Sequence, residues 1–345
     1  MENFIEQLKQ SGLLGRSGSN FPVWKKWEAV RQASSDKKFI ICNASEGEPE
    51  VFKDAFILEN YLPEVINGVK IALQETGALT AYIYLNKNFY QKFKQKLINL
   101  IANSPIELFE KPSGYLAGEE TSILNVIEGK RPEPRIKPPY PTEKGLWAKP
   151  TLINNVETFY WASKIAKGEY QNKRFYCVSG DPSNSSGQAL NKGVFELPEN
   201  YSIEQILKET KNYPNFPFFL QVGGGAIGEI LLDNELSQPI KGLASIIIFN
   251  KEKTDPRALL KKWAEFLTQE NCDQCAPCRE GLCRIKEVLR QAPAYAEASA
   301  GRQDKFSENQ KQILNDIFAV LEKTSLCPFG RTAYLPFKTA LEKLT

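Results

Sequence analysis

The sequence contains no histidine in 345 residues. This absence removes imidazole as a general base, as a proton shuttle and as a metal ligand, so hydrolase triads built on histidine are excluded. Net charge is also low, because 44 Lys and Arg residues against 41 Asp and Glu residues leave +3. Proteins that bind nucleic acid by neutralising phosphates carry a clearer positive excess. We therefore expect no nucleic-acid partner.

Long hydrophobic runs are missing as well. Apolar stretches such as residues 243–249 are far shorter than the ~20 residues that a membrane-spanning helix needs. The opening segment MENFIEQLKQ predicts a polar amphipathic helix and lacks the apolar core of an export signal. We expect a cytoplasmic protein that meets a membrane only through its partners.

The chain shows three zones of different pattern, which predict a multidomain α/β protein. Over residues 1–165, short β-rich runs alternate with helical patterns, as in βαβ units. Residues 166–250 combine short strands with one helix that begins at Ser202. Residues 251–345 contain the periodic apolar positions of amphipathic helices, which predict a small helical bundle.

Several local boundaries are also predicted. Asp255 and Pro256 form a helix start at the beginning of the bundle. Residues 130–150 hold six prolines and should cross the surface as an extended loop without secondary structure of its own. Residues 292–304 are rich in small side chains and are expected to form a surface loop. Residues 331–344 predict the last amphipathic helix.

The cysteines indicate a metal centre in a reducing compartment. Cys272, Cys275 and Cys278 form C-x-x-C-x-x-C, and Cys327 stands alone in SLCPFG. Four thiolates, three of them on one tight loop, predict a [4Fe–4S] cluster. A zinc site is the first alternative, although zinc more often takes two separated cysteine pairs, and an inert structural set is the second.

The remaining cysteines are expected to be small buried hydrophobic residues, because Cys42, Cys177 and Cys283 fall in apolar strand or helix patterns. Cys283 follows Cys278 by five residues on one predicted helix. Five residues rotate a side chain by ~140° from its starting direction, so we expect Cys327, and not Cys283, to complete the cluster.

Two glycine motifs invite a phosphate or nucleotide interpretation. Residues 12–20 (GLLGRSGSN) lie between helical patterns and offer amides, serine hydroxyls and an arginine, which suit a phosphate; an ordinary helix end and turn is the alternative. Gly223, Gly225 and Gly228 form G-x-G-x-x-G after a strand. No long helix follows, so we predict a turn and not a dinucleotide site.

Two acidic turns follow predicted elements. Glu46 and Glu48 lie in NASEGEPE, and Glu119 and Glu120 lie in GEET. Carboxylates at the carboxyl ends of strands in an open α/β sheet can accept hydrogen bonds from ribose hydroxyls or from a nicotinamide amide. Solvated turn residues are the alternative for either motif alone.

Together these segments resemble the NADH-binding flavoprotein subunit of respiratory complex I and the related diaphorase subunits of NAD-linked hydrogenases and formate dehydrogenases. The motifs that carry the resemblance are GLLGRSGSNFPVWKKW, FIICNASEGEPEVFKDA, GYLAGEETSILNVIEGKRPEPRIKPPYP, TLINNVET, and ENCDQCAPCREG with SLCPFG. The family implies a Rossmann-like FMN domain over residues 1–165, a ubiquitin-like β-grasp (SLBB) module over 166–250, and a four-helix bundle with the cluster over 251–345.

The resemblance also implies roles for individual residues. Those implied to surround FMN are Gly15, Arg16, Gly18, Lys26, Asn43, Glu46, Gly118, Asn154, Asn155 and Thr158. Those implied on the NADH side are Phe21, Glu48, Glu120, Lys137 and Tyr140. The implied cluster ligands are Cys272, Cys275, Cys278 and Cys327. No residue need act as a nucleophile, because the cofactors carry the chemistry.

The implied function is electron input to a larger redox complex. NADH would pass a hydride to FMN, and single electrons would leave through the [4Fe–4S] cluster to a thioredoxin-like [2Fe–2S] subunit and further iron–sulfur subunits. Two alternatives stay open: a diaphorase subunit of a bifurcating hydrogenase or formate dehydrogenase that uses NADH or NADPH, and a degenerate electron-transfer scaffold without dinucleotide binding. Ala29, where the family has an aromatic residue, and Ser45, where it has aspartate, favour the scaffold.

Overall fold

The computed structural model describes residues 4–180, 189–291 and 306–344. The loop predicted over residues 292–304 lies outside the described residues. The chain divides into two compact units. One unit comprises Met1–Cys177, Gly193–Tyr201 and Pro239–Ala244, and the other comprises Val178–Lys192, Ser202–Gln238 and Ser245–Thr345.

A parallel four-stranded sheet forms the centre of the first unit. Its order is β3-β2-β1-β4. The strands are β1 (Phe39–Ala44), β2 (Thr80–Leu85), β3 (Ile106–Glu110) and β4 (Thr151–Asn155). Every residue of β4 and all but one of β1 are buried, as is typical of parallel strands covered on both faces. The predicted parallel α/β arrangement is confirmed.

Helices cover the sheet and pack closely on one another. They are α1 (Phe4–Ser11), α2 (Val23–Gln32), α3 (Lys53–Asn60), α4 (Leu62–Thr76), α5 (Lys87–Ile101), α6 (Glu120–Ile127), α7 (Pro141–Lys144) and α8 (Val156–Ala166). At Gly68 of α4, a Cβ atom would lie 1.9 Å from the carbonyl oxygen of Phe159 in α8. Only glycine allows the two helices this approach.

The proline-rich segment is not wholly irregular, so the prediction for residues 130–150 was wrong in part. Helix α7 and a short 3-10 helix (Leu146–Ala148) lie within it. Pro141 occupies the first turn of α7, where its missing N–H costs nothing. The carboxylate of Glu143 accepts a hydrogen bond from the backbone N–H of Tyr140 at 3.2 Å. Proline therefore starts a helix here.

A second sheet has the order β6-β5-β9-β7-β8. Its strands are β5 (Lys173–Gly180), β6 (Gly193–Pro198), β7 (Phe218–Val222), β8 (Glu229–Leu232) and β9 (Ser245–Asn250). Strand β7 pairs antiparallel with both β8 and β9. Helix α9 (Ile203–Glu209) begins after Ser202, whose hydroxyl accepts from the backbone N–H of Gln205 at 3.2 Å. The predicted start of this helix is confirmed.

The G-x-G-x-x-G motif is the turn between β7 and β8, as predicted. Gly223 has a φ of +98°, a conformation that L side chains rarely adopt. At Gly228, a Cβ atom would lie 2.3 Å from the carbonyl oxygen of Gly224. The glycines therefore serve a tight hairpin, and no helix follows them that could receive a pyrophosphate.

The last part of the chain is helical. Its helices are α10 (Pro256–Glu270), α11 (Ala276–Gln291), α12 (Glu308–Thr324), α13 (Pro328–Thr332) and α14 (Leu335–Leu344). The carboxylate of Asp255 accepts from the backbone N–H of Arg257 at 2.9 Å, so the predicted start of α10 is confirmed. Among the described residues, no helix combines the length and apolar character needed to cross a membrane.

The single helix predicted over residues 331–344 is divided in two. Helix α13 ends at Thr332 and α14 begins at Leu335. Pro336 has no N–H to donate to the carbonyl of Thr332, so a continuous helix would be interrupted at this point. That prediction was wrong, because periodicity alone does not register the proline.

Candidate functional site

The parallel sheet has a switch point at which ligands of open α/β proteins bind. Strands β2 and β3 are added on one side of β1, and the connection after β3 returns to place β4 on the other side, so the strand order reverses at β1. In open α/β proteins ligands bind outside the carboxyl ends of the strands at such a point, which here are those of β1 and β4. Asn43 of β1 lies beside Asn155 of β4 in the register, and Cys42 lies beside Asn154. Three of the residues implied to surround FMN therefore share this edge.

Asn43 joins two further segments at the edge. Its Nδ2 donates to the carbonyl oxygen of Gly118 at 3.0 Å, and its Oδ1 accepts from the Ser45 hydroxyl at 2.6 Å. A Cβ atom at Gly118 would lie 2.6 Å from the Ser45 Oγ. Close approach of Ser45 therefore favours glycine at position 118.

The glycine-rich loop lies between α1 and α2. The backbone N–H of Gly15 donates to the carbonyl of Phe21 at 2.9 Å, which closes the base of the loop. Residues 17–19 at its tip are exposed. Gly18 has a φ of +101° and requires glycine. An exposed tip of backbone amides and serine hydroxyls fits a phosphate group.

Arg16 and Thr158 face inward from this loop. Thr158 is fully buried, and its hydroxyl accepts from the backbone N–H of Arg16 at 3.3 Å. The guanidinium of Arg16 is 1% exposed and pairs with the carboxylate of Glu199. The structure thus directs the Arg16 side chain away from the exposed tip, and only its backbone faces the loop.

Lys26 and Lys137 share the carboxylate of Glu120. Lys26 donates to Glu120 Oε1, and Lys137 donates to Glu120 Oε2 at 3.0 Å. Burial alone would raise the pKa of Glu120, but the two ammonium groups outweigh burial and lower it. Lys26 also approaches the carbonyl of Ile153 in β4 at 3.5 Å. The implied FMN lysine and the implied NADH lysine therefore meet at one carboxylate near the switch point.

The first acidic turn contributes two carboxylates in different surroundings. Glu46 accepts from the backbone N–H groups of Asp54 and Ala55, at 2.9 and 3.2 Å, at the start of α3. Burial, and next the charge of Asp54, raise the pKa of Glu46 to about 7. Glu48 accepts from the Tyr115 hydroxyl at 2.6 Å.

Two aromatic side chains implied on the NADH side are exposed. Phe21 is 44% exposed and Tyr140 is 54% exposed. Exposed rings can stack on a base. Ala29 of α2 is also exposed and offers no ring.

The paired asparagines are largely occupied by protein partners. Asn154 Oδ1 accepts from Trp27 Nε1 at 3.0 Å. Asn155 Oδ1 accepts from Lys53 Nζ at 2.9 Å, and its Nδ2 donates to Asp54 Oδ2 at 2.7 Å. Sequence reasoning missed Lys53 and Asp54. Their position as a charged pair inside the otherwise apolar run VFKDAFIL could have indicated them.

The four implied cluster cysteines lie around the start of α11. Burial, and next the thiols of Cys275, Cys327 and Cys272, raise the pKa of the Cys278 thiol. Cys327 precedes α13, where a Cβ atom at Gly330 would lie 3.4 Å from the Cβ of Cys278. The start of α13 therefore lies close to Cys278.

No set of three or more His, Cys, Asp or Glu side chains within the described ranges is arranged to hold a metal ion. The cluster assignment therefore rests on the spacing of the cysteines in the sequence.

Of the other cysteines, Cys42 and Cys177 are buried, as predicted. Cys283 is exposed, so that prediction was wrong. The buried side of α11 is defined by Cys278, Leu282 and Ile285. Five residues beyond Cys278, a side chain has rotated by ~140° and faces solvent.

A parallel α/β unit with polar side chains at its switch point, together with a four-cysteine helical region, defines a cofactor-binding redox protein. Two family profiles match the sequence. The Nuo51 FMN-binding domain matches residues 8–163, and the NADH-ubiquinone oxidoreductase-F iron–sulfur binding region matches residues 258–345.

Relatives of known type cover nearly the whole chain. The F 2 subunit of NADH-quinone oxidoreductase from Rhizobium meliloti (strain 1021) is 30% identical over 99% of this chain and 86% of the relative. The F subunit of NADH-quinone oxidoreductase from Aquifex aeolicus (strain VF5) is 31% identical over 99% of this chain and 84% of the relative. The chain belongs to the family of NADH-quinone oxidoreductase F subunits, and it carries an FMN-binding domain and a [4Fe–4S]-binding region.

A solved structure of an NAD⁺-reducing [NiFe]-hydrogenase in the H2-reduced state is also similar. Its TM-score is 0.84 at 26% identity, and the match covers 98% of this chain. The present chain spans only 61% of the length of that hydrogenase chain.

Proposed function

We propose that this chain is the electron-input flavoprotein subunit of a larger redox complex and that it oxidises NADH. The observation that carries the proposal is the convergence at the switch point. Asn43 and Asn155 lie side by side there, and Glu120 joins Lys26 to Lys137. Bound FMN supplies hydride acceptance from NADH, and a bound [4Fe–4S] cluster supplies single-electron transfer to a partner.

The residues of this chain bind FMN and orient it. We propose that the exposed tip of the glycine-rich loop around Gly18 receives the FMN phosphate through backbone amides, and that Gly15, whose N–H bonds to the Phe21 carbonyl, supports the loop from its base. Lys26, Asn43 and the segment at Gly118 would then hold the rest of the flavin. Glu46, Asn154, Asn155 and Thr158 would support these groups from behind, because their side chains are bonded to protein.

For the dinucleotide, we propose polar contacts and ring contacts. Glu48 and Glu120 would accept hydrogen bonds from the dinucleotide, and Lys137 would pair with a phosphate. Phe21 and Tyr140, both exposed, would pack against its rings. Each oxygen of the Glu120 carboxylate accepts one lysine hydrogen bond and can accept a further one from the dinucleotide.

The finer architecture is part of the same proposal. We propose that residues 166–250 form the ubiquitin-like β-grasp (SLBB) module, which the second sheet together with helix α9 supports. Residues 251–345 would form the four-helix bundle, and Cys272, Cys275, Cys278 and Cys327 would hold the cluster. The proposed boundary of the first domain remains at residue 165.

The proposed partners are iron–sulfur subunits, and the one expected to contact this chain directly is a thioredoxin-like [2Fe–2S] subunit. A [4Fe–4S] cluster hands on electrons one at a time and so needs a one-electron acceptor nearby. A reducing compartment, the cytoplasm, suits thiolate ligands. Contact with a membrane would come only through the complex.

The test is a visible spectrum of the reconstituted full chain, followed by anaerobic addition of NADH. We expect one FMN per chain and loss of flavin absorbance on adding NADH. A flavin that dithionite reduces, but that neither NADH nor NADPH reduces, would favour the scaffold without dinucleotide binding. A chain that binds no flavin would overturn the proposal.

A diaphorase subunit of a hydrogenase is the second candidate. The similarity to the NAD⁺-reducing [NiFe]-hydrogenase favours it, as does 27% identity to the alpha subunit of the NAD-reducing hydrogenase HoxS of Cupriavidus necator over 99% of this chain and 59% of that relative. Purification of the chain from its native organism together with a catalytic hydrogenase subunit would distinguish this candidate from a quinone-linked complex.

A further inference from the structure

A line of charged side chains, all buried except the partly exposed Glu199, runs behind the glycine-rich loop. The guanidinium of Arg16 donates to the Glu199 carboxylate, with Nη2 2.9 Å from Oε2. Arg16 Nε lies 3.9 Å from Oε1 of Glu157, which is fully buried. The only charged side chain of the loop is thus held from inside the unit.

The line continues from Glu157 to the end of β4. Glu157 Oε2 lies 3.4 Å from Lys53 Nζ, and that ammonium group is 2.9 Å from Asn155 Oδ1. Lys53 also pairs with Asp54 at 2.5 Å. We call the following set the buried charge chain: Glu199, Arg16, Glu157, Lys53 and Asp54.

Stability alone does not explain this arrangement. The attraction within a buried ion pair often fails to exceed the desolvation cost, and apolar replacements of similar volume are often neutral or stabilising. Burial alone would raise the pKa of Glu157, but Lys53 and Arg16 outweigh burial and lower it, so the carboxylate keeps its charge. Moving either cation would reduce the compensation of that buried charge, which makes the relative position of the two cations costly to change.

Glu157 is itself fixed from two further directions. Its Oε1 accepts from the backbone N–H of Phe175 at 3.0 Å and from Trp161 Nε1 at 3.2 Å. The carboxylate therefore has a single position, from which it holds Arg16 on one side and Lys53 on the other.

We propose that Glu157 is a positioning residue for FMN. It fixes the glycine-rich loop through Arg16, and it fixes the end of β4 through Lys53 and Asn155. This inference rests on the proposed FMN site, of which those two segments are the halves. Glu199 holds the loop half alone, because it contacts Arg16 and has no contact with Lys53 among the hydrogen bonds and ion pairs of the described residues.

The test measures the FMN dissociation constant of the flavin-free full chain by quenching of flavin fluorescence. Glu157→Gln keeps the size of the side chain and an acceptor oxygen while removing the charge. We expect its dissociation constant to rise about tenfold or more, which corresponds to about 1.4 kcal/mol per decade. Glu199→Gln should give a smaller rise.

The matched control is Glu128→Gln. The carboxylate of Glu128 is also ion-paired and largely buried, with Oε1 2.8 Å from Arg135 Nη2, but it lies outside the buried charge chain. Its removal should leave the FMN dissociation constant unchanged. In an Arg16→Met background, Glu199→Gln should cause no further rise, because Glu199 acts through the guanidinium.

Thermal midpoints and far-ultraviolet circular dichroism separate positioning from folding. If both carboxylate variants melt earlier but bind FMN as tightly as the wild type, the role is structural and the inference is overturned. If Glu157→Gln does not fold, the FMN dissociation constant of Glu199→Gln decides the question. The Glu199 side chain is 22% exposed, so loss of its charge should disturb folding less. An unchanged dissociation constant there also overturns the inference. A wild-type chain that binds no FMN overturns the proposed function, and this inference with it.

Discussion

Glu120 is the residue at which the implied FMN and NADH contacts meet. Its carboxylate is shared by Lys26 and Lys137, and we propose that it also bonds to the dinucleotide. We expect Glu120→Gln to slow flavin reduction by NADH while the FMN content stays unchanged. Loss of a charge-assisted hydrogen bond is worth about 1.5–3 kcal/mol, or one to two decades in affinity.

The measurement for Glu120→Gln is stopped-flow reduction of flavin-replete protein over a range of NADH concentrations. Glu128→Gln, which removes an ion-paired carboxylate at the other end of α6, is the control and should behave as the wild type. Loss of flavin with unchanged nucleotide affinity would contradict the assigned role.

Cys327 and Cys283 provide a direct comparison of two thiols. Cys327 is buried beside α13, whereas Cys283 is exposed on α11. We expect Cys327→Ala to lose iron and the electron paramagnetic resonance signal of the reduced cluster, and Cys283→Ala to retain both. An intact cluster in the Cys327 variant with an altered one in the Cys283 variant would reverse the assignment.

The raised pKa of Glu46 predicts that the stability of the folded protein depends on pH. Its pKa is about 7 in the folded protein against an ordinary value of 4.5, so the folded state holds this proton more tightly than the unfolded state does. The resulting stabilisation is complete below pH 4.5 and is lost as the pH rises through about 7. In Glu46→Gln this contribution is absent.

The thermal midpoint of the flavin-free wild type should therefore fall relative to that of Glu46→Gln between about pH 5 and pH 8. Glu59→Gln, which changes an exposed carboxylate of α3, should run parallel to the wild type over the same range. A constant difference between wild type and Glu46→Gln would show that the group does not titrate there.

For single residues, the sequence indicates the kind of site that a residue belongs to better than the direction in which its side chain points. The spacing of the four cysteines was sufficient to predict an iron–sulfur region, because each iron needs its own sulfur ligand. The inward turn of Arg16 could not be predicted, since it depends on Glu157 and Glu199, which lie 141 and 183 positions further along the chain. The roles of the individual site residues remain predictions.

At the scale of secondary structure, apolar patterns located most strands and helices. Strand β1 and helix α4 fall where FIICN and PEVINGVKIALQETG indicated. Strand β4 was not predicted, because TLINN carries two polar residues whose partners come from distant segments. Proline explains two other errors. In residues 130–150, which were predicted to lack secondary structure, proline permits α7 to start. In residues 331–344, which were predicted to form one helix, proline separates α13 from α14.

Gly68 allows a test of packing between elements. We expect Gly68→Ala to lower the thermal midpoint, because its new methyl group would overlap the carbonyl oxygen of Phe159 in α8. Overpacking typically costs ~1–3 kcal/mol, which exceeds the gain of about 1 kcal/mol in helix propensity.

The control for this substitution is Gly281→Ala in α11. The nearest atom to a Cβ there is Cδ2 of Leu321 at 3.2 Å, the end of a flexible side chain. This variant should be close to neutral. Equal midpoints for both variants would mean that α4 and α8 can move apart without cost.

At the scale of the whole molecule, each predicted cofactor site lies within one unit. All residues implied at FMN and NADH belong to the first unit, and all four implied cluster cysteines belong to the second. Binding of a cofactor stabilises the region that forms its site and leaves other regions unaffected when no ligand bridges them. Loss of one cofactor should therefore be measurable separately from loss of the other.

We accordingly expect the double variant Cys272→Ser and Cys275→Ser to lose iron while its FMN dissociation constant stays that of the wild type. Because metal binding contributes directly to the folding of the region that supplies the ligands, limited proteolysis should cut within residues 258–345 faster than in the wild type. Mass spectrometry of the fragments would locate the cuts, and Cys283→Ala would serve as the control, with wild-type iron content and wild-type proteolysis. Weaker FMN binding in the double variant would mean that the cluster also supports the flavin site. Unchanged proteolysis with complete loss of iron would mean that the helices around these cysteines fold without the cluster.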